Sequence, residues 1–274
     1  MENTFSWKTA DGIDIYGIDW PVDQAKAVVC IIHGLGEHIH RYEHAVSYFH
    51  KNKIAVIGYD RRGHGRSGGK KGHTISYDAF LDEIEYLEKE AKNRYPELAV
   101  FLYGHSMGGN LLLNYVLNRK PIVNGIISTG AHISLAFEPS SVTLALGRLM
   151  KRIYPGFTQP NGLDVTQISR DSNVVEVYKN DPYVHNKLTA ITGLSLLERA
   201  DVLNNYSGDF PLPLLIMHGG ADGITAPKGS ENFAARVNGD ITLKIWDDFY
   251  HEIHNEPEQD QVFAEMTLWI QQHI

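Results

Sequence analysis

The chain has 274 residues, of which 43% are hydrophobic and 21% charged, as is usual for a globular protein with one sizeable core. This composition excludes disordered, collagen-like and coiled-coil proteins. Lys and Arg number 25 against 33 Asp and Glu, and the net charge of −8 argues against a nucleic-acid-binding protein, which needs a cationic face. The single cysteine, Cys30, excludes an internal disulfide and a cysteine-rich metal site.

The beginning of the chain, residues 1–8, has neither the basic segment nor the apolar segment of a secretory signal. No apolar stretch reaches the roughly 18 residues that a membrane span requires. We therefore expect a cytoplasmic protein, and peripheral contact with a lipid surface is compatible with that expectation.

The order of apolar runs and helical patterns indicates the fold class. Asp11-Gly12, between two strand-like segments, predicts a two-residue β-hairpin turn. Continuous apolar runs then predict strands that are buried on both faces. These strands are Ala27–Ile32, Lys53–Tyr59, Ala99–Tyr103, Val123–Ser128, Leu212–Met217 and Ile241–Trp246. The helical patterns among them are Tyr77–Ala91, Asn110–Leu117, Glu231–Val237 and Gln261–Ile270. This alternation predicts an α/β fold, with a mostly parallel sheet and helices on both faces.

One long segment, from His132 to about Tyr206, contains no convincing strand. It carries two helical patterns, over residues 142–153 and 189–203, and Ser140 or Ser141 can cap the first. We expect residues 132–206 to form a helical cap over the C-terminal ends of the strands, where open α/β sheets bind ligands. Residues 1–131 and 207–274 then form the core domain.

The first cap helix is amphipathic. Its apolar stripe consists of Val142, Ala145, Leu146, Leu149, Met150 and Ile153. We expect this stripe to pack on the core and line an acyl channel, with Phe137, Leu144 and Leu146 as candidate acyl contacts. The alternative is that the helix, with its basic residues Arg148, Lys151 and Arg152, lies on an anionic membrane.

The sharpest motif is Gly104-His105-Ser106-Met107-Gly108-Gly109, which stands between a predicted strand and a predicted helix. A nucleophilic serine on such a strained turn needs small neighbours, because strand and helix approach each other closely there. The serine oxygen then lies at the amino end of a helix, where developing negative charge is favoured. The motif therefore predicts Ser106 as a nucleophile.

A serine nucleophile needs a base and an acid that orients the base. In folds with this type of turn the chain order is serine, then acid, then histidine. Asp222 and His251 each follow a predicted strand, so we expect both at the same sheet edge as Ser106. His254 is the alternative base.

The tetrahedral intermediate of acyl transfer needs two hydrogen-bond donors for its oxyanion. One is expected to be the backbone amide of Met107, which follows the nucleophile. The other should come from the glycine-rich loop at 33–38, where we assign the amide of Leu35.

Four stretches of the sequence resemble the monoacylglycerol lipase and lysophospholipase branch of the α/β-hydrolases, also called the serine aminopeptidase-like group. They are H-G-L-G-E-H-I-H-R-Y at 33–42, Y-D-R-R-G-H-G-R-S at 59–67, G-H-S-M-G-G at 104–109, and G-G-A-D at 219–222 with Y-H-E-I-H-N-E at 250–256. The resemblance implies an α/β-hydrolase fold with an inserted cap and a triad of Ser106, Asp222 and His251. It also implies that Glu37, Arg41 and His254 help to hold a glycerol head group.

We therefore predict a serine hydrolase that cleaves carboxylic esters of lipids through an acyl-enzyme on Ser106, without a cofactor or metal. The resemblance makes a monoacylglycerol the expected substrate. A lysophospholipase or a short-chain carboxylesterase would use the same residues, and the family name also admits a peptidase. A non-catalytic lipid-binding protein is a more distant alternative, since such proteins often lack triad residues that this chain retains.

Overall fold

An eight-stranded sheet forms the centre of the structure, a computed structural model that describes residues 2–274. The strands are β1 (Asn3–Lys8), β2 (Asp14–Trp20), β3 (Ala27–Ile32), β4 (Ile54–Asp60), β5 (Ala99–His105), β6 (Gly125–Thr129), β7 (Thr158–Pro160), β8 (Lys187–Thr189), β9 (Gly208–Asp209), β10 (Leu214–Gly219), β11 (Val237–Asn238) and β12 (Ile241–Trp246). The order in the central sheet is β1-β2-β4-β3-β5-β6-β10-β12. From β4 to β12 along this order all neighbours are parallel, which confirms the predicted α/β fold.

The first two strands form an antiparallel hairpin, with Lys8 opposite Asp14. The turn is longer than the two residues predicted, because Thr9 and Ile13 are still hydrogen-bonded and residues 10–12 lie between them. Gly12 adopts φ +84° there, as in hairpin loops that end in a left-handed residue.

Helices cover both faces of the sheet. They are α1 (Glu43–Lys51), α2 (Tyr77–Arg94), α3 (Met107–Arg119), α4 (Ser141–Ile153), α5 (Ser172–Asn180), α6 (Ala190–Asn205), α7 (Pro227–Arg236) and α8 (Gln259–Gln272). Apolar residues of α1 and α8 pack on one face, and those of α2, α3 and α7 pack on the other. In the described part of the chain, no helix combines the length and apolar character needed to cross a bilayer.

Residues 132–206 contain α4, α5 and α6, and also two short strands that were not predicted. β7 pairs antiparallel with β8. Each has only three residues, and β7 ends in Pro160, so neither is long enough to show a period-two pattern. The predicted cap of the first helix is confirmed, because the Ser140 side chain accepts a hydrogen bond from the Thr143 amide.

The apolar stripe of α4 does not pack on the core, contrary to the expectation from the sequence. Val142, Leu149 and Ile153 are 75%, 52% and 70% exposed. The helix instead packs on α6 through its opposite side, where a Cβ on Gly147 would be in ordinary contact with Leu194, at 3.8 Å. Helical periodicity identifies which residues share a face, but it does not say what that face meets.

Candidate active site

The turn between β5 and α3 holds Ser106 in a strained conformation, with φ +54° and ψ −116°. Two glycines allow this turn. A Cβ atom on Gly108 would lie 2.0 Å from the carbonyl oxygen of Ile32, and one on Gly104 would lie 2.5 Å from the carbonyl oxygen of Gly108. Both distances are far shorter than any real contact, so only glycine lets β5, α3 and β3 meet here.

The structure brings Ser106, His251 and Asp222 together at the C-terminal edge of the sheet. Ser106 Oγ lies 2.9 Å from His251 Nε2, and His251 Nδ1 lies 2.7 Å from Asp222 Oδ2. Asp222 follows β10 and His251 follows β12, and these two strands are parallel neighbours. Because Asp222 accepts from Nδ1–H, Nε2 of the neutral imidazole is free to accept the serine proton.

The Asp222 carboxylate is saturated with hydrogen bonds. Oδ1 accepts from the amides of Ile224 and Thr225, at 2.7 and 2.9 Å. Oδ2 accepts from the Thr225 hydroxyl at 2.8 Å and lies 3.0 Å from His218 Nε2. Burial acts to raise the pKa of Asp222, but the charge of His251 and the hydrogen bonds from both histidines outweigh it and hold the pKa below its usual range. Sequence reasoning missed His218 and Thr225, because neither belongs to a recognised motif.

His251 is a stronger base than an ordinary histidine. Burial acts to lower its pKa, but the negative charge of Asp222 and the hydrogen bond to it prevail and raise the pKa above 6.5. His105 packs against its ring, with centroids 4.7 Å apart. Burial lowers the pKa of His105 to about 3, so this neighbour is neutral and does not compete for a proton.

Leu35 and Met107 border the same cavity as Ser106. Met107 is the first residue of α3, so its amide has no acceptor within the helix. The Leu35 amide donates to no acceptor anywhere in residues 2–274. Both predicted oxyanion donors are therefore residues that border the cavity at Ser106 and whose backbone N–H has no acceptor in residues 2–274.

A chamber of about 540 Å³ opens from Ser106, and most of its wall comes from residues within 132–206. Phe137 and Leu144 border it, as proposed for acyl contacts, whereas Leu146 does not. The chamber is lined mainly by apolar side chains, which suits a hydrocarbon chain.

A second, much smaller cavity of about 20 Å³ borders Ser106 and His251. Its wall also includes Glu37, Glu252 and Tyr178, which have polar side chains. Of the three residues predicted to hold a head group, only Glu37 borders this cavity. Glu252 was not predicted, although its position directly after His251 could have suggested it.

Arg41 lies behind the small cavity, between the two carboxylates. Its Nη1 donates to Glu37 Oε2 at 2.6 Å and to Glu252 Oε1 at 2.8 Å, and its Nη2 donates to Glu252 Oε2 at 2.7 Å. The guanidinium also lies over the ring of Tyr178, 4.6 Å from its centroid. These partners occupy both terminal nitrogens and one face of the guanidinium.

The structure does not bring His254 to either cavity. The residue is fully buried, and its ring stacks on Tyr42 with centroids 4.9 Å apart. Both ring nitrogens are buried without a hydrogen-bond partner in the described residues. Burial holds the pKa of His254 well below its usual range, so the ring is neutral.

The sheet order, the turn at Ser106 and the hydrogen bonds from serine to histidine to aspartate define a protein of the α/β-hydrolase class. A family model described as Hydrolase_4, serine aminopeptidase S33, matches residues 23–258. The chain therefore belongs to this family.

Relatives and solved structures agree with this assignment. The chain is 33% identical over 262 residues to a monoacylglycerol lipase of Mycolicibacterium smegmatis, covering 95% of this chain and 93% of that protein. It is 41% identical over 251 residues to an uncharacterized abhydrolase domain-containing protein of Dictyostelium discoideum, covering 90% of this chain but only 26% of that protein's length. The crystal structure of Paleococcus ferrophilus monoacylglycerol lipase superposes with a TM-score of 0.87 at 28% identity, covering 95% of this chain and 99% of that one.

Proposed function

We propose that this protein hydrolyses monoacylglycerols to a fatty acid and glycerol. One observation carries the proposal: Ser106 borders both a large, mainly apolar chamber and a small cavity whose wall includes Glu37 and Glu252. An ester bound with its carbonyl at Ser106 places its acyl chain in the chamber and directs its alcohol toward the small cavity, which at about 20 Å³ has to widen to admit a glycerol. The similarity to monoacylglycerol lipases supports the same substrate.

The proposed mechanism uses the three hydrogen-bonded side chains. Ser106 Oγ attacks the ester carbonyl while His251 Nε2 takes its proton, and Asp222 orients the imidazole and stabilises its cation. The amides of Leu35 and Met107 hold the oxyanion, at roughly 3 kcal/mol of transition-state stabilisation for each donor. His251 then protonates the leaving alcohol. Water next attacks the acyl-enzyme while His251 takes its proton, and His251 returns that proton to Ser106 Oγ as the fatty acid leaves.

The charges around the small cavity favour a neutral polyol as the alcohol. Glu37 and Glu252 bear two formal negative charges against the single positive charge of Arg41, whose terminal nitrogens are already engaged. Carboxylate oxygens accept hydrogen bonds from the hydroxyl groups of glycerol. The phosphate of a lysophospholipid would meet a net negative charge and no free cation, which favours the monoacylglycerol over the lysophospholipid.

A panel of four esters under identical conditions tests the proposal: a monoacylglycerol, a triacylglycerol, a lysophospholipid and a short-chain p-nitrophenyl ester. We expect the highest kcat/KM for the monoacylglycerol. Equal values across the panel would reject the substrate assignment and retain the hydrolase mechanism.

A fluorophosphonate probe tests the mechanism separately: we expect it to label the wild type and not Ser106→Ala, whereas an unlabelled wild type would reject the mechanism. Aminoacyl arylamides test the peptidase alternative.

We also propose that residues 132–206 act as the cap of this site and that the exposed stripe of α4 contacts a lipid surface. Val142, Leu149 and Ile153 present an apolar surface to solvent, and the exposed cations Arg148 and Arg152 stand on the same helix. Such a helix lies in the interface of an anionic membrane. The chamber wall belongs to this segment, so a substrate leaving the bilayer would meet the cap first.

Sedimentation with phosphatidylcholine vesicles, with and without about one third phosphatidylglycerol, tests the lipid contact. We expect Val142→Ser with Ile153→Ser to reduce vesicle binding at least fivefold. Ile122→Ser is the matched control, because Ile122 is 84% exposed but lies outside the cap. Equal binding by the cap variant and the wild type would reject the contact.

A further inference from the structure

Arg61 is a fully buried cation without a carboxylate partner. Its side chain has no solvent exposure, and its Nε and Nη1 have no hydrogen-bond partner in the described residues. Nη2 donates to the carbonyl oxygen of Gly34 and lies 3.4 Å from His33 Nδ1. A charge that is buried without an ion pair lowers the stability of the fold, so we expect the Arg61 guanidinium to have a function that offsets this cost.

The reason lies in the peptide group that Arg61 contacts. The carbonyl of Gly34 and the amide of Leu35 belong to the same planar peptide unit, and in a trans peptide they point in opposite directions. A cation on the carbonyl side therefore aligns the amide toward the opposite side, where Leu35 borders the cavity beside Ser106. It also polarises the peptide and makes the N–H a stronger donor.

His33 holds the same carbonyl from a second direction. His33 Nδ1 lies 2.8 Å from the Gly34 oxygen, and His33 Nε2 accepts from the Arg61 amide at 3.0 Å. This pattern needs a neutral ring with its proton on Nδ1. Burial and the nearby charge of Arg61 keep the pKa of His33 well below its usual range, so the ring is neutral. On the other side, the Gly34 amide donates to Glu37 Oε1.

We propose that Arg61 is a positioning residue for the oxyanion hole: it fixes and polarises the Gly34–Leu35 peptide so that the Leu35 amide faces the oxyanion of the acyl-transfer intermediate. This inference rests on the proposed function. The adjacent Arg62 provides a contrast, since it is also buried but its side chain is paired with Glu83 at 2.5 Å and Asp11 at 2.9 Å, and among the described residues it makes no side-chain hydrogen bond to the loop at 33–38.

Three substitutions separate the two components of the effect. Arg61→Lys keeps a cation, Arg61→Gln keeps a neutral donor, and Arg61→Met keeps neither. We measure kcat and KM on a monoacylglycerol and the Kd of an alkyl boronic acid, whose tetrahedral adduct bears the negative charge of the intermediate. Arg62→Met is the matched control, and circular dichroism establishes that each variant is folded at the assay temperature.

For Arg61→Met we expect kcat to fall about 10- to 100-fold with KM within twofold, because losing one oxyanion donor costs about 100- to 1000-fold and a misaligned donor is only partly lost. Boronate affinity should fall by the same factor, and Arg61→Lys should recover most of both. Arg62→Met should lose stability but keep kcat and boronate affinity. If Arg61→Met does not fold, Arg61→Gln carries the test, with an expected intermediate loss.

Two results would overturn the inference, and they differ from a failure of the proposed function. One is a folded Arg61→Met or Arg61→Gln with unchanged kcat and boronate affinity. The other is a loss in Arg62→Met equal to that in Arg61→Met. If the wild type itself were not labelled by fluorophosphonate, the hydrolase mechanism would fall, and the role of Arg61 with it.

Discussion

Replacing Glu252 by glutamine removes one of the two negative charges that share the Arg41 guanidinium. The amide retains an oxygen that can accept from Arg41, so the contacts at 2.8 and 2.7 Å need not all be lost. The formal charge of the group formed by Glu37, Arg41 and Glu252 changes from −1 to 0. We expect the variant to discriminate less against an anionic alcohol.

The magnitude follows from Coulomb's law. For each negative charge on a phosphate about 6 Å from the Glu252 carboxylate, with an effective dielectric constant of about 20, the repulsion is about 3 kcal/mol, or roughly 100-fold in rate. Water entering the open site reduces this value. We therefore expect the ratio of kcat/KM for 1-oleoyl lysophosphatidic acid to that for 1-oleoylglycerol to rise about 10- to 100-fold in Glu252→Gln. The two substrates share an acyl chain and a glycerol and differ only in the phosphate.

The same substitution should move the pH profile. The negative charge of Glu252 is among the causes that raise the pKa of His251, so removing it lowers that pKa. Since His251 acts as a base only when it is unprotonated, the acid limb of kcat/KM for 1-oleoylglycerol should shift to lower pH. Glu83→Gln is the control, because Glu83 is an equally buried carboxylate bound to arginine but borders neither cavity. An unchanged selectivity ratio and an unchanged acid limb in folded Glu252→Gln would refute the electrostatic argument.

Three further predictions concern the serine site. Asp222→Asn should lower kcat about 10³- to 10⁴-fold, because an amide cannot hold the Nδ1–H tautomer of His251 as the carboxylate does; a loss below tenfold in steady-state kinetics would contradict the assigned role. In the wild type, kcat/KM should fall as the pH drops through the raised pKa of His251, so the loss begins above pH 6.5; a flat rate from pH 8 to 5 would exclude a histidine base. Gly108→Ala should destabilise the fold by about 3 kcal/mol or more and abolish fluorophosphonate labelling, because its Cβ would lie 2.0 Å from the Ile32 oxygen. By contrast, Gly147→Ala in α4, whose nearest neighbour would be 3.8 Å away, should stabilise by about 0.5–1 kcal/mol, as urea unfolding can measure.

Local patterns in the sequence were sufficient to predict the parallel sheet of this protein and the turn that carries Ser106. The apolar run of β3 predicts the observed boundaries, because a strand buried on both faces has a continuous apolar signal. The boundaries of β12 also agree, but its predicted burial on both faces is wrong, because β12 is the edge strand of the sheet and none of its residues is buried. The turn at Ser106 was equally readable, since the close approach of β5 and α3 permits little but glycine around it. Asp222 and His251 could be predicted to lie near Ser106, because parallel strands deliver their C-terminal ends to one edge of the sheet.

What the sequence could not supply was the direction and partner of individual side chains. Arg41 and Glu252 are 211 residues apart, and no local pattern indicates that they form an ion pair beside the nucleophile. Periodicity identifies the stripe of α4 as one face, but the packing of α4 on α6 through its other side leaves that face exposed to solvent. The sequence shows Arg61 only as a residue before a glycine-rich loop, and its hydrogen bond to the Gly34 carbonyl is visible only in the tertiary structure. Periodicity records which residues share a surface, whereas the tertiary structure decides what that surface meets, because such contacts join segments far apart in the chain.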